Sequence, residues 1–238
     1  MKDHYYTIQP DVFLLYPGYI RGVVIARDIQ NGSSPKELVD LLRREEESIR
    51  NRLRIDTLTN DPCIASWREA YRKFGAKPGE YRSSIEAMAR RILRGDSLPS
   101  INQLVDIGNI VSLRYLIPVG GHAIDYLQED LSLRVAAGKE EFLPPGLDKP
   151  ENPEKGEIIF TDGNIVLTRR WTWRQGSHTL TQLNTGAIEY NLDGLPPITS
   201  IQIKKACFDL VGLLEKYCHG YIRVEILSET HPRISLSM

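Results

Sequence analysis

Residues 169–178 read RRWTWRQGSH and hold two of the chain's three tryptophans together with three arginines, a glutamine and a histidine. Indole faces stack on bases and cations, and guanidinium forks pair with phosphate oxygens, so the segment combines group types that hold single-stranded nucleic acid. In an extended strand alternate residues share a face. Ile165, Leu167, Arg169, Trp171, Trp173 and Gln175 then line one side, and Val166, Thr168, Arg170, Thr172 and Arg174 the other. Ile165 and Leu167 mark the first side as a core face, which makes Trp171 and Trp173 packing residues before they are ligand contacts. The second side is expected to be wet, with Arg170 and Arg174 free to meet a ligand.

Two further clusters carry chemistry. In SINQLVDIGN, Asn102, Asp106 and Asn109 stand at i, i+4 and i+7, which on a helix aligns two amides and a carboxylate along one side. Such a row can orient a polar ligand or tie down a neighbouring loop. In PVGGHAID, Gly120 and Gly121 let backbone amides come close to a ligand, and His122 beside them is a donor or general base; the plain structural alternative is a chain reversal. The sequence has no P-loop, GxGxxG, GxSxG or HExxH pattern. Cys63, Cys207 and Cys218 form no CxxC pair and the five histidines are scattered, so neither a metal site nor a cofactor is expected. An odd cysteine count suits a reducing compartment.

The elements that must position these residues can be read along the chain. VFLLY and IRGVVIARD, split by Pro17 and Gly18, predict two strands joined by a tight turn. Ser34, Pro35 and Glu37 form a capping-box signature for a helix to about Leu53. Asp61-Pro62 opens a second helix with Ile64, Trp67, Tyr71 and Phe74 on its apolar side. Ser83 or Ser84 caps a third, to Leu93, with Ile85, Met88, Ala89 and Ile92 inward and Arg90, Arg91 and Arg94 toward solvent. A helix before Pro118 precedes a glycine turn. LSLRVA, GEIIF, NIVLTRRWTWR and GAIEYNL are strand-like, with a proline-rich surface loop over residues 140–157. A last helix, about Ile198 to Tyr217, leads to a strand in GYIRVEIL. The expected architecture is α+β, with helices packed on a mixed, mainly antiparallel sheet.

Composition sets the outer limits. At 41% apolar and 26% charged residues the chain has the make-up of a soluble globular protein. Its longest apolar stretch is interrupted by Arg114 and falls short of the roughly 18 residues needed to span a bilayer, and the start MKDHYYTIQPD has no apolar signal region; a cytoplasmic protein without membrane contact is expected. The net charge of -1 conceals segregation: residues 50–94 carry 11 Lys/Arg against 5 Asp/Glu, and residues 125–163 carry 4 against 10. That distribution allows a basic patch for an anionic partner.

The stretch SSIEAMARRIL followed by LPSINQLVDIGNIVSLRYLIPVGGHAID resembles the tRNA-editing domain of the bacterial phenylalanyl-tRNA synthetase beta subunit. The likeness rests on the Ile-Asn-x-x-Val-Asp-x-x-Asn spacing of Ile101 to Asn109 and on the family's Pro-x-His-Ala-x-Asp turn after it, and it covers residues 83–195 with an extension over 55–218. It implies one editing-like domain over 1–238, with strands and a helix to residue 54, a core over 55–218 and a C-terminal strand over 219–238. It also implies a freestanding hydrolase for the ester of a mischarged aminoacyl-tRNA, needing no cofactor, with the tRNA acceptor end as partner. The alternative is a binding module for tRNA or an amino-acid-like small molecule. On this resemblance His122 and Asn109 act at the ester, and Asn102, Gly120, Gly121, Arg170, Trp171, Trp173, Arg174, Gln175 and Glu189 bind substrate or tRNA. The turn is two residues longer than the family's, so that Gly120 takes the histidine position without a gap and His122 with one. RRWTWRQ stands where the family has a glycine-rich pocket wall, which implies a different amino-acid specificity.

Overall fold

In the computed structural model, which describes residues 4–237, the first apolar run is mostly helical. After β1 (Tyr5–Ile8), Pro10 opens a short helix, α1 (Pro10–Leu15), with Asp11 at its electropositive end. The strand expected for VFLLY is therefore a helix. So short an apolar run has no period that separates the two, and the proline at the first helical position decides. β2 (Ile20–Arg27) is extended as expected and buried on both faces, Val23 and Ile25 toward one layer and Val24 and Ala26 toward the other.

The remaining helices are α2 (Lys36–Arg52), α3 (Pro62–Lys73), α4 (Ser84–Leu93), α5 (Gln103–Tyr115) and α6 (Ser200–Tyr217). Local caps explain most of their starts. Asp61 accepts from Cys63 N at 2.9 Å, Ser83 accepts from Glu86 N, and Thr199 with Gln202 closes a full capping box on α6. The box expected at Ser34 and Glu37 is not formed. α2 starts after Pro35, and the Ser34 hydroxyl donates instead to Asp106 Oδ2 at 2.6 Å.

Among the described residues ten strands divide between two sheets. β3 (Val119–Ala123), β8 (Ala187–Gly194), β2 and β9 (Tyr221–Leu227) form an antiparallel sheet in the order β3-β8-β2-β9. The second runs β10-β1-β4-β5-β6-β7, with β4 (Leu131–Val135), β5 (Ile158–Asp162), β6 (Ile165–Arg169), β7 (Arg174–Gln175) and β10 (Arg233–Ser235); its β1–β4 pair is parallel and the others antiparallel. Gly120 and Gly121 lie inside β3 and pair with Asn191 and Tyr190, so the expected glycine turn is a strand. Among the described residues no helix is long and apolar enough to cross a membrane.

The layers follow from the two cores. Val24, Ile188, Tyr190 and Leu192 of the four-stranded sheet pack with Leu38 and Leu42 of α2, Ile85 of α4, Ile107 of α5 and Leu210 of α6. Val23 and Ile25 pack with Tyr6, Ile8, Leu131, Leu133 and Phe160 of the second sheet. The fold is thus α+β, a helical layer and a sheet sharing the central four strands. At Gly22 the sheet and α6 meet so closely that a Cβ would overlap Cys207 Sγ and sit 2.9 Å from Ile203 Cγ2.

Candidate functional site

The RRWTWRQ segment does not run as one strand. β6 ends at Arg169, and Arg170 and Trp171 both take left-handed backbone, φ 45° and 64°, before pairing resumes at Arg174. Two such residues in succession end the alternation and re-aim the side chains. Trp171 turns into the core, 2% exposed, with edge contacts to Tyr16, Tyr19 and Trp67 at 4.7, 4.8 and 5.1 Å between ring centroids. Trp173 is half-buried beside Tyr81 at 5.0 Å.

The wet face expected for Arg170 is corrected: the residue is 4% exposed. Its guanidinium lies 3.7 Å from the Tyr81 ring centroid and 4.7 Å from that of Trp173, with Nη2 3.3 Å from Glu154 Oε1. Arg169 forks onto Glu157 at 3.0 and 2.9 Å. The acidic loop before β5 therefore folds back to neutralise these two arginines. Arg174 alone of the three is exposed.

Between the sheets lies a buried polar chain of which the sequence reading named only Glu189. Arg21 Nε donates to Asp193 Oδ1 at 2.6 Å, Arg21 Nη1 donates to the Tyr6 hydroxyl, and Tyr6 donates to Asn191 Oδ1 at 2.6 Å. Asn191 Nδ2 donates to Glu189 Oε1 at 2.9 Å, and Tyr19 donates to Asp193. Burial pushes the Glu189 carboxyl up to about 8, against the pull of Arg21, so it is neutral at pH 7. Two signals were available: an arginine inside the apolar run IRGVVIA, and the polar alternation Glu-x-Asn-x-Asp in β8, which puts three polar groups on one face of a buried strand.

This chain opens on a cavity of about 140 Å³ lined by Arg21, Asn191, Asp193, His122, Thr168, Trp171, Trp173, Arg174 and Gln175, with Phe160 and Gly120 among its other walls. The structure thus brings six of the sequence-predicted residues to one cavity: Gly120, His122, Trp171, Trp173, Arg174 and Gln175. His122 Nδ1 lies 2.6 Å from Thr179 Oγ1 and Nε2 lies 3.1 Å from Thr168 Oγ1. Burial, helped by the charges of Arg21 and His178, holds its pKa down at about 3, so the ring is neutral and a weak base.

A second cleft of about 510 Å³ lies along α5 and β3 and shares Val119, Gly120 and Gln175 with the first. Asn109 and Gly121 line it, with apolar walls from Leu104, Val105 and Ile188. Gln175 Nε2 bridges the two by donating to Gly121 O and Thr179 O, each at 3.0 Å. The row expected from Asn102, Asp106 and Asn109 is taken apart by helix geometry. Asn102 is the N-cap of α5, accepting from Val105 N at 3.0 Å, and Asp106 is buried, accepting from Ser34, Ser100 and Ile101 N. Asn109 alone reaches a cleft, and His122 does not line that one. Glu189 and Asn102 line neither cavity, and Arg170 lines a third, of about 250 Å³, with Tyr81 and Glu157.

A groove of about 510 Å³ runs along α4, lined by Arg82, Arg90, Arg91 and Arg94 with Glu80 and Asp96 also in its walls, and it shares Trp173 with the smaller cavity. Not all of its charge is free. Glu86, buried beneath, holds Arg90 Nε at 2.8 Å and also takes Arg68 at 2.8 Å. Arg91 and Arg94 remain exposed, as expected from α4's apolar face; Arg90 does not. Among the described residues no group of three or more His, Cys, Asp and Glu is placed to hold a metal.

Residues 66–218 match the B3/4 domain family, from within α3 to the end of α6. No curated protein sequence matches. Among solved structures, an N-terminal fragment of the phenylalanyl-tRNA synthetase beta subunit from Pyrococcus horikoshii is similar, at 10% identity and a TM-score of 0.46 over 91% of this chain and 49% of that one. The chain thus spans about half the length of that fragment. The family match takes in more than half of the sequence, including Asn109, the Gly120–His122 segment and the whole RRWTWRQ turn, and on that ground the chain belongs to the B3/4 domain family.

Proposed function

We propose that the protein hydrolyses the ester of a mischarged aminoacyl-tRNA. The observation that carries this reading is the meeting, at Trp173, of an arginine-lined groove with a polar-floored cavity. Arg91, Arg94 and Arg174 take backbone phosphates of the acceptor end, and the exposed part of Trp173 offers a stacking plane for a terminal base. The aminoacyl ester then reaches the space between Gly120 and Gln175 where the two cavities join. Its side chain occupies the apolar cleft under Leu104 and Ile188, and the Asn109 amide polarises the carbonyl. An aminoacyl ester is already activated, so positioning water and stabilising the oxyanion carry the reaction without a strong base. A ring held near pKa 3 suits that division of labour: His122 orients and does not deprotonate. A cytoplasmic site of action and a freestanding role go with this reading.

The test is a panel of mischarged tRNAs incubated with the full chain. At least one is deacylated well above its spontaneous rate, and Asn109→Ala lowers that rate tenfold or more; spontaneous hydrolysis across the panel rejects the reading. One observation favours a non-catalytic binding module instead: both ring nitrogens of His122 are already hydrogen-bonded to threonine hydroxyls. Under that reading tRNA is bound but no ester is cleaved. If tRNA is not bound even at low salt, where electrostatic affinity is greatest, an amino-acid-like small molecule is the ligand left.

A further inference from the structure

β9 is a long sheet edge. It is the outer strand of the four-stranded sheet, paired without interruption to β2 from Tyr221 to Leu227, and among the described residues nothing pairs with its other side. Natural edges are blunted by brevity, charged side chains, proline, a bulge or a covering element. The other edges are shorter: β7 has two residues, β10 three and β3 five. β9 has seven residues, YIRVEIL, with no proline, and its two charges, Arg223 and Glu225, are of opposite sign. It also lies outside the residues matched to the B3/4 family.

Its order of side chains is self-complementary. Laid antiparallel on a second copy with Val224 opposite Val224, it sets Arg223 against Glu225, Glu225 against Arg223, Ile222 against Ile226 and Tyr221 against Leu227. Residues opposite one another in an antiparallel pair lie on the same face with Cβ atoms roughly 5 Å apart, so the charges meet their opposites and the apolar groups meet each other. A two-fold contact demands such a pattern, since the same patch must serve both subunits. The two charged residues already share a face, Arg223 Nε lying 3.8 Å from Glu225 Oε1, and both are about one third exposed. Pairing closes this into an alternating square of four charges. The strand's other face, Ile222, Val224 and Ile226, packs only in part against the helical core, and α6, which packs beside it, exposes Ile201 and Phe208. On the Arg223 side the second sheet lies alongside, the carbonyl of Ser235 in β10 accepting from the Arg223 guanidinium.

We infer that the protein forms a two-fold homodimer through β9, joining the four-stranded sheets of two copies into one of eight strands centred on Val224. Sedimentation velocity of the full chain over a concentration series finds a monomer–dimer equilibrium with the dimer populated at tens of micromolar. Arg223→Glu and Glu225→Arg each set like charges opposite one another twice, and each weakens the dimer tenfold or more. An equimolar mixture of these two variants restores it, because one variant is acidic at both positions and the other basic at both, so every cross-strand pair between them joins opposite charges. Val224→Cys in the otherwise unaltered chain gives a symmetric disulfide under mild oxidation where the wild-type chain gives none, which decides the matter should a charge variant fold poorly. A wild-type chain that stays monomeric at these concentrations overturns the inference. So does a dimer indifferent to both charge variants, or one that does not cross-link through residue 224.

Discussion

Glu189 and His122 face each other across β3 and β8, and burial displaces them in opposite directions. His122 moves from an ordinary 6.5 down to about 3, so the unfolded chain binds the extra proton and stability falls as pH drops below 6.5. Glu189 moves from 4.5 up to about 8, so the folded chain keeps a proton that the unfolded chain has lost, and stability falls as pH rises above 4.5. Between 4.5 and 6.5 the two slopes oppose each other. Above 6.5 only Glu189 is left, and the loss is about 1.4 kcal/mol per pH unit up to its folded pKa. Thermal midpoints across pH 6.5 to 8 should show this decline in the wild-type chain and lose it in Glu189→Gln, which keeps the shape without the titration. Glu189 is also a lesson in what residue types disclose. Its strand was legible, and its polar neighbours at every second position marked a face, but not that Arg21 from a distant strand would meet that face.

At the scale of elements, the glycines of β3 show why its strand was read as a turn. Gly121 is constrained by neighbours from another strand: a Cβ there would sit 3.0 Å from Ile188 Cδ1 and 3.0 Å from Tyr190 Cε1. Gly120, which lines both cavities, has open space where its Cβ would be. Gly120→Ala should therefore change stability by less than about 1 kcal/mol and yet reduce deacylation, since the methyl group enters the proposed ester site. Gly22→Ala, driven against Cys207 and Ile203, should cost roughly 1–3 kcal/mol and leave any surviving activity unaltered in KM. Chemical denaturation beside the turnover assay separates the two. Capping and periodicity placed α3, α4 and α6 closely, because their start signals and apolar faces are local. α1 and the break at Arg170 escaped for different reasons. A proline outweighed a short apolar run in the first, and in the second Trp171 gains a pocket between Trp67, Tyr16 and Tyr19 that no local pattern announces.

For the whole molecule, charge segregation was visible in the sequence, but its outcome depended on which acids fold onto which bases. Glu154 and Glu157 take up Arg169 and Arg170, and Glu86 takes up Arg68 and Arg90, which leaves Arg91, Arg94 and Arg174 as the exposed cations near Trp173. Binding of tRNA measured against salt concentration should then have a shallow slope, a few phosphates at roughly 0.7 to 0.9 each, and the Arg94→Ala, Arg174→Ala pair should flatten it by about one to two contacts. Arg170→Ala should leave that slope where it is. The same three-layer packing that hides the acids also hides sulfur. Cys207 lies against Gly22 in the seam between sheet and helix, fully buried, and burial pushes its thiol up to about 12. A thiol so placed is inert until α6 lifts from β2, so the rate at which a thiol reagent consumes it is a native stopwatch for the opening of the central layer, already present in the chain and requiring no added probe.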